Sequence, residues 1–279
     1  MKSILIILLT VSFISVGCTS QDNSTSEIDT LLSKYTEFSL TTDIEQLSEN
    51  EKKMIPILIE AAKEMEKVFW LQAYGEKGEL YEILSDKEAR FFDINFGPWD
   101  RLNGNKPFID GVNEKPLGAN FYPADMTEEE FEAWESEQKN SLYTLVRRNG
   151  DGELTTVPYN VAFKSYHEKA AQKLREAAEF ADDAGLKNYL LLRADALESN
   201  EYQASDLAWM DMRDNGLDIV IGPIENYEDQ LFGYKAANEA FVLVKDKSWS
   251  ERLSKYTSVL PKLQKGLPVL DKYKKETPG

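Results

Sequence analysis

Cysteine occurs once, at Cys18, and histidine once, at His167, in a chain of 279 residues. A lone thiol rules out an internal disulfide and a cluster of thiolate metal ligands. A lone imidazole cannot build a zinc site of nitrogen ligands. His167-Glu168 is half of an HExxH pattern, but Ala171 stands where the second histidine belongs. The pair reads as a helix-surface histidine beside an acid. No GxSxG elbow, GxGxxG turn or GxxxxGK[ST] loop occurs, so neither an activated serine nor a nucleotide cradle has a motif behind it. Basic residues are scarce as well. Lys and Arg number 32 against 49 Asp and Glu, a formal net charge of -17. Such a surface repels phosphate backbones and argues against nucleic acid as a partner. Acids are so numerous that a carboxylate pair singles out nothing, because a glycosidase pair is defined by its spacing in space.

Long apolar runs are equally few. The one that exists, residues 4–14, follows the basic head Met1-Lys2-Ser3 and is short for a permanent membrane span. Residues 1–17 therefore read as a lipoprotein signal peptide. Ser15-Val16-Gly17-Cys18 resembles a lipobox, with Ser15 in place of the usual leucine. Cys18 is then the lipidation site, which anchors the chain in the bacterial cell envelope, at the periplasmic or outer-membrane face. Residues 18–46 are a polar tether and N-terminal segment, beginning with QDNSTS at 21–26. No second apolar run follows, so a soluble body is expected.

With 42% hydrophobic residues the body can bury a sizeable core. Ser48 and Glu51 match a capping box, and Met54, Ile55, Leu58, Ala61, Ala62, Met65, Val68 and Phe69 recur behind it at helical spacing. Pro56 predicts a kink or a late start. Residues 91–123 carry Gly, Pro and Asn every few positions and predict a long loop pinned by Phe96, Trp99, Phe108, Phe121 and Tyr122. Thr127 and Glu130 cap a short helix. Two alternating runs flank Asn149-Gly150-Asp151-Gly152, which predicts a β-hairpin over residues 141–159. A calcium loop is excluded there by the missing acidic ligands. Helices are predicted over 159–183 and 186–200, joined at Gly185, with an alanine-rich seam from Ala170 to Ala181 for close packing. A short helix over 205–212 precedes a strand over 218–221 that Gly222-Pro223 ends. Glu225, Glu228 and Asp229 then read as acids opening a helix. Residues 240–244 form another strand or a buried helical turn, and 249–263 a last amphipathic helix.

GPWDRL (97–102), NKPF (105–108), KPLGANFYPADMTEEEFEAW (115–134), LRADALESNEYQASDLAWMD (192–211) and IGPIENYEDQLFGYKAANEAFV (221–242) resemble the dipeptidyl peptidase III family of zinc metallopeptidases, in its bacterial and plant branch. The resemblance runs from about residue 47 to the end. It implies an α+β fold, mainly helical with a small β-core, like the lobe of the two-lobed enzyme that lacks the metal. It divides the chain into a lobe over 47–242 and, over 243–279, the start of a crossing toward a second lobe. The family's zinc, held by a HExxxH-type helix, has no ligands in these residues, so no metal and no catalytic residue is expected here. Asp218 matches the family's acid three residues before the Ile of the turn, which receives the free α-amino group of a peptide. Val220 stands where animal members carry a tyrosine.

The resemblance thus implies the substrate-cleft part of a zinc hydrolase that releases dipeptides, inactive alone, with short peptides and a zinc-lobe partner chain or a homodimer as partners. The alternative is a membrane-tethered lipoprotein that binds peptides without cutting them.

Overall fold

The computed structural model describes residues 26–274, so Cys18 and the expected signal peptide lie outside the described residues. Two compact units are divided after Glu37. In the first, the Ser26 hydroxyl caps a short helix, α1 (Glu27–Leu32), by accepting the Asp29 N–H.

The second unit begins with α2 (Glu49–Ala73), at the predicted capping box. Ser48 Oγ accepts the Glu51 N–H at 3.0 Å, and the Glu51 carboxylate accepts the Ser48 N–H at 2.8 Å. Pro56 lies inside the helix and does not delay its start. A proline costs about 3 kcal/mol in a helix interior. Met54, Leu58, Met65 and Val68 are fully buried along one face, and each offsets that with about 1.5–3 kcal/mol of apolar burial.

Two short helices follow, α3 (Gly78–Glu82) and α4 (Asp86–Asn95). A second capping box, Ser85 with Glu88, draws residues 91–95 out of the predicted loop and into α4. The remaining loop contains a minimal ladder, β1 (Trp99–Asp100) with β2 (Lys106–Pro107). Aromatic contacts pin it as expected. Phe69 meets Phe96 edge-on at 4.7 Å, Phe91 meets Phe108 at 4.7 Å, and Trp99 Nε1 donates to the Asn113 carbonyl at 2.9 Å. Thr127 caps α5 (Glu128–Ala133).

The predicted hairpin forms from β3 (Thr144–Arg148) and β4 (Leu154–Pro158), with Thr144 opposite Pro158 and Arg148 opposite Leu154. Asn149 Oδ1 accepts the N–H groups of Asp151 and Glu153, and Gly152 takes φ 84° in the turn. The chain continues as α6 (Tyr159–Ala162), α7 (Lys164–Ala178), α8 (Ala184–Ser199) and α9 (Gln203–Asp211). Gly185 is not the joint that was predicted. It lies in the first turn of α8, where the Asp183 carboxylate accepts the Leu186 N–H at 2.7 Å and sets the helix start at Ala184, two residues earlier than predicted. Ala170, Ala171, Leu174, Ala177 and Ala178 are buried as predicted, while Ala181 is only partly covered. Small residues on this face let α7 pack against both α2 and α8.

A second antiparallel pair, β5 (Leu217–Glu225) and β6 (Ala237–Val244), sets Leu217 opposite Val244 and Val220 opposite Phe241. The predicted end of the strand at Gly222-Pro223 is corrected. The strand runs on to Glu225 and absorbs the proline with a register shift between Pro223 and Glu225. Gly222 has φ 116°, and a Cβ there would meet the Tyr202 ring at 3.4 Å. Leu217, Ile219 and Ile221 turn into the core, and β6 packs on α2. The ambiguous stretch 240–244 is strand.

The expected last helix is two, α10 (Lys247–Thr257) and α11 (Leu260–Lys265), because Pro261 starts a new helix rather than continuing the old one. The described residues form an α+β body, mainly helical with three two-stranded sheets. Among them no helix is long and apolar enough to cross a membrane.

Candidate functional site

Side chains alternate across a strand, so the burial of Leu217, Ile219 and Ile221 turns Asp218 and Val220 to the opposite face. The register puts Leu243 opposite Asp218 and Phe241 opposite Val220 on that face. Phe241 and Leu243 are both exposed. Trp209, on α9, leans over the strand and its Nε1–H reaches both Asp218 oxygens, at 3.1 and 3.3 Å. A pocket of about 470 Å³ opens beside this pair.

Asp218 is half-buried, and burial raises its pKa while the Trp209 N–H opposes the rise. A carboxylate has about four lone-pair sites. The Trp209 indole N–H and the Ile219 backbone N–H together leave Asp218 able to accept a further donor from the pocket. The local sequence supports the placement: Asn215 Nδ2 donates to the Leu217 carbonyl at 2.8 Å, fixing the chain just before the strand.

A second concavity, of about 540 Å³, lies along β6 between Phe69, Phe96, Tyr227, Glu239 and Phe241. Tyr227 donates its hydroxyl to Glu239 at 3.0 Å. Burial raises the Glu239 pKa, and the neighbouring Glu225 and Glu228 carboxylates add to the rise.

The acids after Gly222-Pro223 do not open a helix. Glu225 ends β5, and Glu228 and Asp229 are buried in the turns between the strands. Glu228 accepts both Arg101 Nη groups, at 2.7 and 3.1 Å, and the Lys115 ammonium. Burial pushes the Glu228 carboxyl up, but the two cations outweigh it and hold the pKa below the ordinary carboxylate value.

Asp229 accepts four backbone N–H groups, from Leu231, Phe232, Tyr234 and Lys235, and the Tyr122 hydroxyl at 2.6 Å. The Lys235 ammonium is fully buried and donates to the carbonyls of Lys139 and Ser141 and to Thr144 Oγ1, while burial lowers its pKa to about 8. Sequence reasoning missed all of these as anchors. The one local signal was the aspartate two and three residues before the amides it binds, an Asx-turn spacing.

His167 is corrected from a surface residue to a core one, only 1% exposed. Its Nδ1 meets the Leu197 carbonyl at 3.0 Å, and its ring lies 6.1 Å from that of Phe163. Glu168 is exposed and paired with Lys164. Among the described residues no group of three or more His, Cys, Asp and Glu is disposed to hold a metal ion. The buried imidazole and the outward acid do not fit a zinc ion.

Burial lowers the His167 pKa, opposed by the Leu197 carbonyl. The unfolded chain binds the proton more readily, near the ordinary value of about 6.5. His167 therefore contributes stability above about pH 6.5 that is lost as pH falls through that value toward the lowered folded one. Urea midpoints of the wild type should decline as pH falls below about 6.5, and His167→Gln should flatten that decline. Equal slopes in the two proteins would count against it.

No family model matches the chain. It is 29% identical to Nudix hydrolase 3 of Arabidopsis thaliana over 306 aligned positions, which cover 87% of this chain and 40% of that protein. Among solved structures, dipeptidyl peptidase III from Caldithrix abyssi is 44% identical with a TM-score of 0.83, covering 88% of this chain and 49% of that one. Dipeptidyl-peptidase III from Corallococcus sp. strain EGB is 36% identical with a TM-score of 0.79, covering 87% and 48%. The chain thus spans half or less of the length of each of these three relatives. Its structural neighbours are dipeptidyl peptidase III structures, and its body is a dipeptidyl peptidase III-like α+β lobe.

Proposed function

We propose that this chain furnishes the peptide-facing lobe of a dipeptidyl peptidase III-like hydrolase, and that Asp218 receives the free α-amino group of the peptide. The observation that carries this reading is the half-buried Asp218 carboxylate, bonded by the Trp209 indole and the Ile219 backbone N–H at the edge of an open pocket. A charge-assisted bond from an ammonium group to such a carboxylate fixes the distance from the peptide's first nitrogen to every later bond. That is how an enzyme counts residues from an N-terminus.

These 279 residues hold one histidine, and its buried ring does not fit zinc. Hydrolysis by the assembled enzyme would draw its metal and its activated water from residues outside them. The role of this lobe is to bind and orient the peptide.

The reading is tested by titrating the chain with a short peptide bearing a free amine and with its N-acetylated twin. The free peptide should bind more tightly, and Asp218→Asn should remove most of that difference, worth about 1.5–3 kcal/mol for a bond to a charged group. The chain by itself should release no dipeptide. Equal affinity for both peptides, or dipeptide release in step with added zinc, would sink the proposal.

A further inference from the structure

β5 has one strand neighbour among the described residues, β6, so its other edge has no ladder partner there. The Lys245 N–H donates to the Gly216 carbonyl at 2.9 Å. Backbone groups alternate along an antiparallel strand, so those of Gly216, Asp218 and Val220 face β6 and those of Leu217 and Ile219 face away. Side chains take up these outward groups. Asn215 Nδ2 donates to the Leu217 carbonyl at 2.8 Å, and the Tyr189 hydroxyl donates to the Ile219 carbonyl at 2.6 Å. The outward Ile219 N–H bonds the Asp218 carboxylate. The two side-chain donors therefore bracket Asp218. Tyr189 is fully buried on α8, and Asn215 is nearly so. The Arg193 guanidinium, bonded to Asp206, lies 5.5 Å from the Tyr189 ring and 5.4 Å from the Tyr202 ring and holds the first in place.

We propose that Tyr189 is a positioning residue for Asp218: it fixes the backbone of Ile219, and with it the N–H that orients the carboxylate toward a peptide's α-amino group. The inference rests on Asp218 as the receiver of that group. A charge-assisted bond depends on direction as well as distance. An edge carbonyl without a neighbouring strand is left to water or to side chains, and a buried hydroxyl holds it in one direction where water would not. Asn215 does the same one peptide unit earlier. Burial pushes the Tyr189 pKa up to about 12, so the hydroxyl remains a donor at neutral pH.

The test titrates the full chain with a five-residue peptide bearing a free amine and with its N-acetylated twin, in the unchanged protein and in Tyr189→Phe, Asn215→Ala and Tyr202→Phe. Phenylalanine keeps the ring, so Tyr189→Phe deletes the bond and little else. The preference for the free peptide should fall at least about threefold, with the affinity for the acetylated one unchanged. A merely structural role would lower the urea midpoint and leave that ratio where it was. Tyr202→Phe removes a buried hydroxyl that bonds no group among the described residues and should leave the ratio unchanged. Asn215→Ala should lower the ratio in the same direction, and it decides the matter if Tyr189→Phe fails to fold. A full preference in folded Tyr189→Phe, or in Asn215→Ala where the first does not fold, would overturn the inference, as would an equal fall in Tyr202→Phe. No preference in the unchanged chain would mean that the Asp218 reading itself fails. A preference that Asp218→Asn removes and Tyr189→Phe keeps would leave that reading standing and sink this one alone.

Discussion

Glu228→Ala should destabilise the fold by about 3–5 kcal/mol, the usual cost of removing one member of a buried charge cluster. The carboxylate is almost fully buried, and its removal strands the Lys115 ammonium, whose side chain is 5% exposed, together with the Arg101 guanidinium. Arg101 also donates its Nε–H to the Asn95 carbonyl at 2.6 Å. The cluster therefore ties the end of α4, the loop at Lys115 and the turn after β5 into one unit. Urea unfolding monitored by tryptophan fluorescence would measure the loss. A triple change that replaces Glu228, Arg101 and Lys115 together by apolar residues should cost far less than the single one, because no charge is left unpaired. A Glu228→Ala loss below about 1 kcal/mol, the range of an exposed pair, would show that water reaches the site and screens it.

Asp229→Ala should cost at least about 3 kcal/mol, since each buried N–H left without an acceptor carries a penalty of about 1–3 kcal/mol. One carboxylate organises the whole turn from Leu231 to Lys235. The turn in its own right sets where β6 begins, and with it the pairing that puts Leu243 opposite Asp218. Tyr122→Phe removes only the hydroxyl bond and should cost about 1 kcal/mol. Asp229→Asn should fall between the two, because its amide nitrogen would meet backbone donors. Amide hydrogen exchange gives a second readout: the N–H groups of Leu231, Phe232, Tyr234 and Lys235 should lose protection together in Asp229→Ala. Unchanged protection would mean that the turn is held by packing, with Phe232 stacked 4.4 Å from Phe131.

The elements that could be read from the sequence are those whose determinants lie within a few residues of one another. The Ser48–Glu51 box, the Asn149 turn and the apolar face of α2 each depend on spacings of two to five residues, and each formed where predicted. The misses share a different cause. Gly222-Pro223 looks like a stop because proline lacks an N–H, yet the strand continues. A bulge accommodates it, and Gly222 is held against Tyr202 and Leu197 from another part of the chain. Glu228 and Asp229 look like first-turn acids because that is where solvated acids commonly stabilise a helix. His167 looks exposed because an adjacent glutamate and lysine suggest a wet face, whereas the ring itself turns toward α8.

By itself the sequence determined the class of fold, the main helices and the hairpin. Tertiary structure alone decided which acids are buried, which face of β5 carries Asp218 and what stands beside it. The physical reason is range. Helix caps, turns and hydrophobic periods are local and act within a turn or two of backbone. Arg101 finds Glu228 across 127 residues and Tyr122 finds Asp229 across 107, and the energy of a buried charge depends on a partner that only the folded chain delivers.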